Sequence, residues 1–218
     1  PESNLQVEYT PKRKMVGFGV ERNEVDNPFT RIFFNYSRGY KGFMNGDFSY
    51  NKFQFYYNQP IVIGPIGRTN IISEFGKTYG RVPLGLLSVV PGNQTYFTIE
   101  NTFNNLNFYE FVTDEYVTLQ WIHNFQGKLF ARVPFLRKLN WREIIGAKGV
   151  YGTVSDENRA INASGLVYTA PEKFYWEYSA GIGNIFKVLR IDFSWRGKYL
   201  DMPKANKLSV KASIGFYF

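Results

Sequence analysis

His123 is the single histidine of this 218-residue chain, and cysteine is absent. A Ser-His-Asp triad would have to be built around that one imidazole, and a metal site of several histidines or thiolates is ruled out. Disulfides and thiol nucleophiles go with the cysteines. Glu110, Asp114 and Glu115 cluster in sequence, as the paired carboxylates of a hydrolase could. Thr113-Asp114-Glu115 is also a turn signal, so solvated carboxylates are expected there, and His123 is expected in a wall or loop. Gly181-Ile182-Gly183 lacks the third glycine and the following helix of a phosphate-binding loop. No enzyme, cofactor or metal is expected from these residues.

A second set of charges has a different arrangement. Glu177, Arg190, Asp192, Arg196 and Lys211 fall on one face of three neighbouring strand-like runs. Cross-strand pairing could join them into an ion-pair network that rigidifies a wall, with a substrate or ion path as the alternative.

The elements that would carry these charges are strands, because apolar and polar residues alternate with period two. Leu208, Val210, Ala212, Ile214, Phe216 and Phe218 oppose Ser209, Lys211, Ser213, Gly215 and Tyr217. Leu189, Ile191, Phe193 and Trp195 alternate with Arg190, Asp192, Ser194 and Arg196. Phe174, Trp176, Tyr178, Ala180 and Ile182 alternate with Tyr175, Glu177, Ser179, Gly181 and Gly183. Earlier copies run through Val117, Leu119 and Trp121, through Phe53, Phe55 and Tyr57, and through Ile32, Phe34 and Tyr36. Turn signals at Asn45-Gly46-Asp47, Gln126-Gly127, Ser155-Asp156-Glu157-Asn158 and Asp201-Met202-Pro203 separate them. The reading is about ten strands joined as a meander. Residues 81–94, broken by Pro83, Gly85, Pro91 and Gly92, resist a strand assignment. They are expected as a long loop, or a short helix plus loop, folded into a lumen. Residues 136–142 are short and basic and suit a solvent-facing turn with Trp141 at a membrane interface. No repeat or linker divides the chain, so residues 1–218 are read as one domain.

Composition names the medium such a sheet would face. Aromatic residues make up 19% of the chain, with 16 Tyr and 21 Phe, yet mean hydropathy is only −0.29. A transmembrane β-barrel needs that combination, because its lipid face and girdles are aromatic while its lumen is polar. A run of about 18 apolar residues, as a membrane-spanning helix needs, is missing. The net charge of +8 does not point to nucleic acid, because the basic residues are scattered among acidic ones, apart from short pieces such as Pro11-Lys12-Arg13-Lys14. Anionic headgroups and lipopolysaccharide phosphates are the expected sink. Residues 1–4 have neither the charged nor the apolar region of a signal peptide, so either the mature start or a chain lacking upstream residues is expected. A soluble β-sandwich, in which a second sheet covers the apolar face, is the alternative fold.

The final run, with Ile214, Phe216 and Phe218 at alternate positions, resembles the C-terminal sorting signature of bacterial outer-membrane barrels. That resemblance implies capture by the barrel-assembly machinery through an unpaired strand edge. The stretch Tyr178-Ser179-Ala180-Gly181-Ile182-Gly183-Asn184-Ile185-Phe186-Lys187-Val188-Leu189-Arg190-Ile191-Asp192-Phe193-Ser194-Trp195 resembles the penultimate hairpin of the surface-antigen superfamily, the BamA and TamA type. Phe34-Asn35-Tyr36-Ser37-Arg38-Gly39, Gly80-Arg81-Val82-Pro83-Leu84, Pro91-Gly92-Asn93 and Phe108-Tyr109-Glu110-Phe111 are similar to the C-terminal region of an uncharacterised family of Bacteroidota outer-membrane proteins. In that family a carboxypeptidase-regulatory-like domain precedes the barrel. The resemblance implies an antiparallel transmembrane β-barrel of about sixteen strands of which this chain is the C-terminal part. It also implies residence in the bacterial outer membrane and a role in assembly, translocation or an accessory complex with other outer-membrane proteins. The superfamily's inward loop carries an Arg-Gly-aromatic motif, which Arg38-Gly39-Tyr40 spells many strands too early. A passive porin or uptake channel and a soluble β-sandwich binding module are the other readings.

Overall fold

The alternation builds a sheet. The computed structural model describes residues 1–18, 21–24, 29–162 and 165–215. In chain order the strands are β1 (Glu2–Tyr9), β2 (Met15–Phe18), β3 (Glu21–Glu24), β4 (Arg31–Gly39), β5 (Tyr50–Ile63), β6 (Gly67–Tyr79), β7 (Ser88–Val89), β8 (Val112–Thr113), β9 (Glu115–Asn124), β10 (Arg142–Thr153), β11 (Tyr175–Ile185), β12 (Leu189–Arg196) and β13 (Leu208–Ile214). Among the described residues, helices are confined to two short pieces, α1 (Pro134–Arg137) and α2 (Asp156–Ala160), and to single 3-10 turns at Leu84–Leu86 and Phe130–Arg132. The Ser155–Asn158 turn signal is the start of α2 rather than a hairpin. None of the described helices is long and apolar enough to cross a membrane, which says nothing about strands.

Nine strands form one antiparallel sheet in the order β1-β4-β5-β6-β9-β10-β11-β12-β13. This is the expected meander, interrupted by the β2-β3 hairpin and by the two-residue strands β7 and β8, which pair with each other. The sheet is open: β1 pairs with β4 and β13 with β12, so the described chain does not close a barrel by itself. Part of the free β13 edge is taken by the chain itself. The Ala212 N–H donates to the Tyr96 carbonyl and the Thr98 N–H donates to the Ala212 carbonyl, a parallel bridge.

Antiparallel order sorts the connections to two ends. One end holds residues 40–49, 80–114, 154–174 and 197–207. The other holds the tight turns 64–66 and 186–188, the β1–β4 connection with its β2–β3 hairpin, the segment 125–141 and the end of β13.

The two faces of the sheet differ in chemistry. On one, Val7, Phe34, Phe55, Phe75, Val117 and Tyr151 are successive register partners across six strands, and all are solvent-exposed. Trp176, Tyr178, Trp195 and Phe193 stack along the same face between β11 and β12. On the other face Asn35, Thr118, Gln120, Glu177, Asp192, Ser194, Arg196 and Lys211 are buried. What buries them is the segment 80–114, which lies over the polar face. Two apolar clusters anchor it there: Val82, Leu84, Leu87 and Val112 with Tyr50, Val154 and Ala170, and Val90, Phe103, Leu106 and Phe111 with Val150 and Tyr175. Edge-on contacts of Phe103 and Phe111 with the Tyr175 ring, at 5.7 and 5.4 Å between centroids, fix the second cluster.

Candidate functional site

The polar face and the segment lying on it form the candidate site. Strands β11, β12 and β13 present Glu177, Arg190, Asp192, Arg196 and Lys211 on this face, as the alternation requires. Glu177 stands opposite Arg196 and Asp192 opposite Lys211 in the ladder. A cross-strand ion network was the expectation, but the charges turn to the inserted segment instead.

Glu177, 2% exposed, accepts the backbone N–H groups of Asn104 (2.8 Å) and Asn105 (3.1 Å), the Asn105 side-chain amide (3.3 Å) and the Tyr175 hydroxyl (3.1 Å). Those donors satisfy both buried carboxylate oxygens without a cation in contact. Arg196 spends every guanidinium nitrogen. Nη2 pairs with Glu110 at 2.5 Å, Nη1 donates to the Asn105 carbonyl (3.2 Å), Nε donates to the Lys198 carbonyl (3.0 Å), and the group lies 5.1 Å from the Tyr175 ring centre. Lys211 Nζ donates to the carbonyls of Asn93 and Thr95, and Lys148 Nζ to that of Thr102 (2.7 Å). Only Arg190 and Asp192 pair within the set, through Nε–Oδ2 at 2.7 Å and Nη2–Oδ1 at 2.8 Å, with Thr98 Oγ1 3.4 Å from the same carboxylate. The physical reason is geometric: a coil segment brings unpaired N–H and C=O groups that strand charges must satisfy once water is excluded.

The carboxylates expected at a solvated turn are placed otherwise. Glu110 is buried against Arg196 and also accepts the Asn107 N–H (2.9 Å). Asp114 is buried, and its Oδ2 accepts the Ser155 N–H (2.8 Å) and the Asn158 amide (2.9 Å). Asn158 in turn accepts the Val82 N–H (2.9 Å), so α2 clamps the root of the insert. Glu115 alone keeps a partly exposed position, paired with Lys77 at 2.7 Å. These acids are therefore spread over separate structural contacts. At the same end Tyr199 packs 5.1 Å from Phe111 and accepts the Lys173 N–H; burial raises its hydroxyl pKa above the usual value, and that donated hydrogen bond opposes the rise.

His123 lies on the opposite face, buried, with Nδ1 2.9 Å from Thr69 Oγ1 and its ring edge-on to Phe125. Ile214 is exposed on the apolar side of β13, whereas Phe216 and Phe218 lie outside the described residues. Gly181 faces the polar side, where an added Cβ would meet Asp192 Oδ1 at 2.2 Å; this glycine makes the room the acid occupies. Beneath the insert, toward the tight-turn end, a cavity of about 540 Å³ is lined by Asn58, Asn70, Gln120, Lys148, Arg190 and Asp192 among others. A second gap of about 390 Å³ separates residues 87–91 from Lys52, Gln54 and Glu74 on β5 and β6. No cluster of three or more His, Cys, Asp or Glu able to hold a metal occurs among the described residues.

Asn104, Asn105 and Lys148 were not singled out by the sequence, though they hold or receive the insert, while Glu110 and Asn158, read from the sequence as a solvated acid and part of a turn, join them in that task. One signal was available: Asn101-Thr102-Phe103-Asn104-Asn105-Leu106-Asn107 combines two apolar residues with four asparagines, a composition suited to a buried coil that must satisfy its own backbone.

No curated protein matches the chain. Residues 2–158 match the family of unknown function (DUF5686) C-terminal domain, and the chain belongs to that family.

Proposed function

We propose that this sheet is the C-terminal part of a bacterial outer-membrane β-barrel of the surface-antigen type, with the segment 80–114 folded into its lumen. It would serve as an assembly, translocation or accessory component of an outer-membrane complex. The observation that carries the reading is the inversion of the sheet: a register-matched row of Val7, Phe34, Phe55, Phe75, Val117 and Tyr151 is bare, while the charged face is buried and hydrogen-bonded. Water would drive the opposite arrangement, and lipid favours this one. The free edges of β1 and β13 add to it, because a sheet in hydrocarbon must close, and further strands, to about sixteen in all, would close this one. The longest connection, the insert, lies at the end opposite the tight turns 64–66 and 186–188, which supports an orientation with the insert entering from outside and those turns on the periplasmic side.

The insert occupies the polar face and bonds to β10, β11, β12 and β13, which favours a protein-handling or accessory role over an open pore. The gap beside β5 and β6 is what favours the second reading, a passive uptake channel. Both are tested on the chain together with the sequence that precedes it in the whole protein. Folding only in detergent or lipid, with heat-modifiable migration on a gel and no steady conductance in planar bilayers, is the expected result. Steady conductance would favour the channel. A monodisperse, folded protein without detergent would overturn the membrane reading in favour of a β-sandwich binding module.

A further inference from the structure

At the tight-turn end of the sheet a groove of about 730 Å³ lies between the segment 125–141 and the β11–β12 turn. Its walls combine three aromatic rings, Phe130, Trp141 and Phe186, with three cations, Arg137, Arg142 and Lys187, and its lining holds no acidic residue. Residues 125–142 carry five basic residues and no acidic one. Glu143, which follows them, is buried and accepts the Phe130 N–H. The two walls are tied together where Asn184 Nδ2 donates to the Asn140 carbonyl at 2.7 Å. Phe186, on the groove wall, stands 85% exposed, and Phe135 in the neighbouring segment 74%.

The turn itself is built against its own backbone preference. Val188 N–H donates to the Ile185 carbonyl, and both central residues, Phe186 (φ 50°) and Lys187 (φ 70°), sit in the left-handed region. That is the type I′ geometry for which Asn-Gly is the favoured pair. A phenyl ring and an ammonium group held there at a conformational cost, and left exposed, point to a contact outside the protein.

We infer that this groove binds the headgroup and upper acyl chain of an anionic phospholipid from the membrane leaflet at the tight-turn end. Arg137 and Lys187 pair with the phosphate, and Phe130, Trp141 and Phe186 lie against the glycerol and acyl carbons. Charge complementarity selects the lipid class: a groove whose lining holds Arg137 and Lys187 and no acidic residue attracts phosphatidylglycerol-type headgroups over zwitterionic ones, and aromatic rings belong at the interface depth. The inference rests on the membrane reading above and adds a lipid preference to it.

The test uses the whole protein folded in phosphatidylcholine micelles, with phosphatidylglycerol added and retained lipid read by native mass spectrometry. Phosphatidylglycerol should be retained in preference to phosphatidylcholine, and R137Q combined with K187Q should weaken that preference about thirtyfold. A second variant, F186N with K187G, relaxes the turn. It should melt at a higher temperature than the parent while losing lipid, a pair of results that misfolding cannot produce. Equal retention of both lipids by a heat-modifiable parent, an unchanged preference in both variants, or competition by soluble glycerol phosphate as strong as by the lipid would overturn the inference and leave the barrel standing. Failure of the parent to fold in any lipid or detergent would overturn both together.

Discussion

The two faces of the sheet bury opposite things. The face carrying Glu177, Asp192, Arg196 and Lys211 is sealed under a coil, and those four side chains are hydrogen-bonded or ion-paired to groups named above. The face carrying Phe34, Phe55, Leu119 and Val210 leaves those side chains exposed, and the chain folds back over it near the tight-turn end, where Phe125 meets His123 and the Phe130 N–H reaches Glu143. The contrast teaches that a sheet's interior is defined by what surrounds it. Here the polar side is the one demanding a unique partner, because each buried donor or acceptor needs a placed counterpart, whereas the apolar side needs only an apolar medium.

Substitutions that test the two sides in turn should separate them. The largest loss is expected from Arg196→Ala, which strands the Glu110 carboxylate without its cation; about 3–5 kcal/mol of stability should disappear in urea unfolding of the lipid-reconstituted barrel. Next comes Leu119→Arg on the open face. If that face meets lipid, about 2–4 kcal/mol is lost, whereas a change within about 0.5 kcal/mol is what a wet surface would give and would break the comparison. Asn158→Ala removes the link between Asp114 and Val82 and should cost about 1–3 kcal/mol, with earlier protease cleavage inside 80–114 as the local readout. The smallest effect is expected for Arg190 and Asp192, whose double-mutant cycle should give a coupling near 1 kcal/mol. If the single and double alanine variants both leave heat-modifiable migration and stability unchanged, that pair has no structural role.

Much of this was legible from residue order. Strands β9, β11, β12 and β13 follow from alternation alone, because one face of each is mainly apolar and the other mainly polar or charged. The 3-10 turn at Leu84–Leu86 and the excursion of residues 81–94 from the sheet follow from Pro83, Gly85, Pro91 and Gly92. The excursion extends to residue 114, however, and Phe103, Leu106 and Phe111 are core residues of its coil that carry no period to announce it. Glu110 and Asp114 illustrate the same limit: a carboxylate beside turn-forming residues reads as solvated, and only the tertiary approach of Arg196 and α2 buries it. Strand β1 was missed for another reason, as Glu2, Asn4, Gln6 and Glu8 give it a polar half that an edge strand can expose.

The bridge between Tyr96–Thr98 and Ala212 makes the β13 edge a provisional one. Two backbone hydrogen bonds in parallel register occupy part of that edge, and in the proposed barrel they are few enough to be exchanged for a full antiparallel ladder with a closing strand. In the proposed barrel the segment that packs the polar face would thereby also hold the place of the closing strand along the seam, tying the order of closure to the position of the insert.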